Sequence, residues 1–189
     1  ILAAALTGYL LSHVRAGVVF SDQTLIIILG ILVMAGLGLI DDLVKVRSHQ
    51  NRGVYWKVKG LVSYLMAVGI AAILVTTTDI DTRISLTRAD LPGWDFGPVV
   101  WVFWAGMIIF ATTNAVNVTD GLDGLAAGSA LFGFIAFTGI AFWALRNPSI
   151  YGDVVNPYDL AVLAAAFAGA CAGFLWWNAA PARIFMGDV

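Results

Sequence analysis

Five apolar stretches, residues 24–40, 60–77, 97–116, 124–145 and 160–177, divide this chain at nearly regular intervals. A hydrocarbon core of about 30 Å is crossed by about 20 helical residues, and an unpaired backbone amide inside it costs several kcal/mol. Each stretch therefore reads as a membrane-crossing helix. Residues 1–12 are also apolar but lack the basic flank of a signal peptide, so they read as the remaining part of a further helix. That makes about six spans. The composition agrees: 60% of residues are hydrophobic, 12% are charged and the mean hydropathy is +0.90, whereas soluble domains carry about one-quarter charged residues. The expected fold is all-α, a polytopic transmembrane helix bundle forming one domain over residues 1–189 and truncated at both ends.

If the helices alternate in direction, one side receives Lys45, Arg47, Arg52, Lys57, Lys59 and Arg183, and the other Arg15, Arg83, Arg88 and Arg146. The first side is then cytoplasmic, because its cations crowd one short loop beside a span. On the other side, Arg83-Ile84-Ser85-Leu86-Thr87 alternates polar and apolar residues before Pro92-Gly93, which predicts a short external β-hairpin. The net charge of -2 and the thin spread of cations give no nucleic-acid surface. Cys171 cannot pair within the chain and reads as a small packing residue. His13 and His49 read as solvated loop residues.

All twelve acidic residues are Asp. Asp22, Asp79, Asp81, Asp90, Asp95, Asp153 and Asp159 fall in external loops or span ends and read as solvated. Asp41, Asp42, Asp120, Asp123 and Asp188 all fall near cytoplasmic span ends, so three loops are expected to bring them to one patch. Asp41 and Asp42 follow an apolar helix at its negative end, where two adjacent carboxylates need a cation or a shared proton. Lys45 supplies one positive charge and a divalent metal would supply more. Asn114, Asn117, Asp120 and Asp123 recur at every third position along a helical end, and Gly121 and Gly124 interrupt it and allow close backbone approach. A third segment, Asn178 to Asp188, contains Pro181, which stops a helix, and Gly187 beside a carboxylate. Trp176 and Trp177 before it read as interfacial anchors.

Asp oxygens without Cys or His partners suit Mg2+, a hard ion that bridges to phosphate oxygens. Metal and Lys together neutralise charge in phosphoryl transfer, and Asn side chains can orient neutral parts of a ligand. The basic loop would draw anions, lipid headgroups among them, toward the site. The chain has no GxxxxGK[ST] phosphate loop of an ATP-driven pump.

On Gly38-Leu39-Ile40-Asp41-Asp42 with Lys45, Asn114 to Gly124, and Phe174 to Asp188, in that order, the chain resembles the polyprenyl-phosphate N-acetylhexosamine-1-phosphate transferases. Asn114 to Asp120 and Asn178 through Pro181 to Asp188 look like the muramoyl-pentapeptide branch. The resemblance implies a ten-helix, magnesium-dependent enzyme of the bacterial inner membrane with its active site facing the cytoplasm. It would move phospho-N-acetylmuramoyl-pentapeptide from UDP-N-acetylmuramoyl-pentapeptide to undecaprenyl phosphate, forming lipid I and UMP, with membrane lipids as surroundings and room for a homodimer. By resemblance Asp188 and Asp42 would hold the metal, Asp41 would deprotonate or orient the lipid phosphate, and Lys45 would hold phosphate. Asn114, Asn117, Asp120, Gly121, Asp123, Asn178 and Phe185 would contact the nucleotide sugar. The family's early Pro-Thr-Met-Gly-Gly loop and late His-rich motif are not in the sequence.

Two other readings stand beside this one. The N-acetylglucosamine-1-phosphate branch shares the Asp positions. A cation transporter or channel would use carboxylates as ion sites, although here the Asp residues lie at span ends rather than mid-helix.

Overall fold

Length and apolarity produce the helices where the chain requires them. The computed structural model describes residues 1–16, 20–48, 55–84, 93–148 and 156–187. Among these, α1 is Leu2–Ala16, α2 Asp22–Ser48, α3 Trp56–Thr77, α4 Gly97–Thr119, α5 Leu125–Arg146 and α6 Pro157–Asn178. The last five are each long and apolar enough to cross a membrane. With 15 residues, α1 reaches only about 22 Å at 1.5 Å per residue. The chain is thus an all-α, multi-pass membrane protein. Between α3 and α4, β1 (Arg83–Ile84) pairs antiparallel with β2 (Trp94–Asp95), Arg83 facing Asp95. The expected hairpin is present at its base; Ser85 to Thr87 and Pro92 lie outside the described residues.

Two units divide the chain. The first comprises residues 1–24 and 118–185. In it α6 buries Asp159, Leu163, Phe167 and Cys171, a four-residue spacing that forms one stripe along a helix. Phe167 stacks on Phe134 of α5 at 5.1 Å, and Ala126, Ala127 and Ala144 of α5 are buried. From α1, Ala5 and Tyr9 are fully buried, and Gly8 approaches Ala166 of α6. Asn156 caps α6 by accepting the Asp159 N–H, with Pro157 in the first turn, where its missing N–H costs nothing.

The second unit comprises residues 25–117 and 186–189. Its α3 buries Ser63, Ala67 and Ala71, again at four-residue spacing. Small residues let backbones approach closely in lipid, where helices gain nothing by hiding apolar surface. Gly106 of α4 is so close to α3 that an added Cβ would meet the Val68 side chain at 2.7 Å and its Cα at 3.0 Å. Tyr64 meets Phe110 edge to face at 5.7 Å. Outside these seams large apolar side chains such as Leu65, Val99, Phe132 and Phe137 are exposed, as helices facing lipid require.

Two expectations are overturned here. Asp159 and His13 are buried rather than solvated, at 0% and 6% exposure, because inside the first unit Asp159 accepts from Tyr9 and Ser21 while the His13 ring lies against it. Asp22, Asp79, Asp81 and Asp95 are exposed as expected, while His49, Asp90 and Asp153 lie outside the described residues.

Candidate active site

The helix α2 does not stop at its carboxylates. It runs on through Leu43, Val44 and Val46 to Ser48, so Asp41 and Asp42 sit two turns before its end rather than at it. This corrects the expected boundary, and continuation has a consequence. Lys45 lies one turn beyond Asp41 on the same face, with Nζ 2.8 Å from Asp41 Oδ2 and 3.4 Å from Asp42 Oδ1. From the first turn of α3, Lys59 places its Nζ 2.8 Å from the same Asp41 oxygen. Asp41 is 3% exposed, and a carboxylate so buried is tolerable only when paired. The compensation expected from a metal or a shared proton is thus met at Asp41 by two ammonium groups. The sequence placed Lys59 only in the basic loop expected to draw anions, not on Asp41; its signal was its place at the start of the following helix.

Asp42 is half-buried and meets the chain again near its other end. A Cβ built on Gly187 would stand 2.9 Å from Asp42 Oδ2, so only glycine leaves that carboxylate in place. Gly187 precedes Asp188, which itself lies outside the described residues. Asp42 is a carboxylate of the kind a hard divalent cation takes, but among the described residues no three His, Cys, Asp or Glu side chains stand together to complete a metal site. Asn114 and Asn117 are exposed on α4, where the Asn114 amide donates to Phe110 O at 2.7 Å.

In the first unit, α4 ends at Thr119, so the three-residue repeat leaves the helix before Asp120 and Asp123. Both lie in the turn between α4 and α5, and both are exposed, as is Gly121. Gly124 closes this turn with φ +77°, a left-handed backbone that side chains resist. Its N–H donates to Asn178 Oδ1 at 3.1 Å, while Asn178 Nδ2 donates to Ile184 O at 2.9 Å. Asp123 Oδ2 accepts the Ala182 N–H at 3.0 Å. Buried Asn178 therefore staples the end of α6 to the turns on either side. Arg183 donates its N–H to Trp177 O and lays its guanidinium 5.8 Å from the Trp177 ring. Phe185 is 75% exposed and open to a ligand.

Membrane-length helices, one of them carrying a buried carboxylate paired with two lysines, define a multi-pass membrane protein with a charged cluster at the end of a span. The chain belongs to glycosyl transferase family 4, whose pattern it matches over residues 24–189. It is 39% identical to the phospho-N-acetylmuramoyl-pentapeptide-transferase of Streptomyces coelicolor over 99% of this chain and 55% of that protein. The proteins of the same name from Frankia alni and Mycobacterium tuberculosis are each 40% identical over all of this chain and 56% of theirs. The chain thus spans about half the length of these curated relatives.

Proposed function

We propose that this chain carries the core of a phospho-N-acetylmuramoyl-pentapeptide transferase, which moves the phospho-sugar from its UDP carrier to undecaprenyl phosphate and releases UMP. The observation that carries the reading is the identity of 38–40% over almost the whole chain to proteins of that name, joined to the Asp41–Lys45–Lys59 cluster. The orientation with Lys45, Lys57, Lys59 and Arg183 toward the cytoplasm belongs to the same proposal, supported by the positive-inside rule.

In this reading Lys45 and Lys59 present ammonium groups to phosphate oxygens, and Asp41 positions both. With Asp41 Oδ2 approached by both ammonium groups, the geometry favours the orienting role for Asp41 over deprotonation. Asp188 and Asp42 would hold Mg2+, which when bound neutralises charge developing on the phosphates. By the family resemblance Asn114, Asn117, Asp120, Gly121, Asp123 and Phe185 would contact the nucleotide sugar, with Phe185 near the base. Asn178 acts through the loops it staples. Full-length protein supplied with undecaprenyl phosphate and each UDP-sugar tests this. UMP should be released from UDP-N-acetylmuramoyl-pentapeptide and not from UDP-N-acetylglucosamine; the reverse preference would move the chain to the other branch.

A further inference from the structure

We propose that His13 and Asp159 form a proton-held clamp that fastens α1 and the first turn of α2 to the start of α6. The clamp lies wholly within the first unit and at the opposite end of α6 from Asn178. The Tyr9 hydroxyl donates to Asp159 Oδ1 at 2.8 Å, and the Ser21 N–H and hydroxyl donate to Oδ2 at 2.9 and 2.7 Å. So many donors on both oxygens mark an ionised carboxylate.

The histidine supplies the second half of the argument. His13 Nδ1 lies 2.9 Å from Tyr9 O; a carbonyl only accepts, so Nδ1 carries the hydrogen. On the far side of the ring, Nε2 lies 2.9 Å from Asp159 Oδ1. The approach is not aligned as a hydrogen bond, so the contact is one of charge. A neutral imidazole has a single N–H, already committed to Tyr9, and would set the Nε2 lone pair against a carboxylate oxygen in a buried site. The imidazolium removes that clash and gives the buried anion its counter-charge. Phe20 stacks on the ring at 4.5 Å and Tyr9 tilts over it at 4.4 Å, faces that favour a cation. The groups around the ring are Tyr9 and Ser12 from α1, Phe20 and Ser21 just before α2, Thr24 in its first turn, and Asp159 from α6. Asp159 is the one formal charge among these described residues.

The test uses full-length protein with 15N-labelled histidine, the His13 ring being assigned by its contacts to Phe20. Both ring nitrogens should be protonated at neutral pH. His13→Asn and Asp159→Asn should each lower the apparent Tm by about 5 °C, and the double variant should lose little more than either alone. A bare Nε2 at neutral pH, or fully additive losses in the double variant, overturns the clamp. If neither variant folds, the ring nitrogens of the wild-type protein decide alone.

Discussion

Lys59 reaches across 18 residues of chain to set its Nζ 2.8 Å from Asp41 Oδ2, the oxygen that Lys45 also approaches at 2.8 Å. Two part-exposed lysines thus share one buried carboxylate. Lys59→Met should lower stability by about 1–2 kcal/mol, less than for a fully buried pair because the lysines keep some water. It should also cut UMP release about tenfold or more. Thermal melting with a turnover assay checks both. Unchanged turnover in folded Lys59→Met would leave Lys45 as the sole phosphate-facing cation.

Asp188→Asn should leave folding nearly intact and lower turnover at least about a hundredfold, since a lost metal charge is a several-kcal/mol effect and about 1.4 kcal/mol is tenfold. Chelation should silence the wild-type enzyme, and added magnesium should restore it and partly relieve Asp188→Asn. Near-normal UMP release by that variant at low magnesium would shift the metal to Asp42.

Gly187→Ala separates stability from chemistry. The new Cβ would stand 2.9 Å from Asp42 Oδ2, and a carboxylate can swing aside cheaply, so the Tm should move little. Turnover should fall about tenfold because Asp42 has been displaced, with the magnesium requirement raised in parallel. An activity profile identical to wild type over a magnesium titration counts against Asp42 as a ligand.

Asn178→Ala strips the partners from the Gly124 N–H and the Ile184 carbonyl at once. At about 1–2 kcal/mol for each buried group left unpaired, the loss should be about 2–4 kcal/mol. Residues 179–187 should become sensitive to protease, read by mass spectrometry of the cut sites. If Asn178 only touches substrate, the variant will resist protease as well as wild type does.

The hairpin offers a pH test outside the spans. The Gly97 N–H, and after it the Thr82 hydroxyl, donate to Asp95 and hold its carboxyl below the usual carboxylate range. A depressed value means that this stabilisation is complete above the ordinary Asp range and is lost as pH falls through Asp95's own lower value. The Gly97 amide resonance should therefore shift only at acid pH below that range, and Asp95→Asn should abolish the shift.

By itself the sequence determined the spans, because a bilayer imposes length and apolarity on each segment independently, and α2 through α6 were legible that way. It also marked Asp41, Asp42, Asp123 and Asn178 as unusual, since polar groups at span ends are costly anywhere in such a chain. Their partners came only from tertiary structure: Lys59 on Asp41, Gly187 beside Asp42, Ala182 on Asp123, Gly124 and Ile184 on Asn178. The largest miss was His13 with Asp159, 146 positions apart. A carboxylate near a loop looks solvated until another helix covers it, and burial, unlike hydropathy, is a property of pairs of segments rather than of either one.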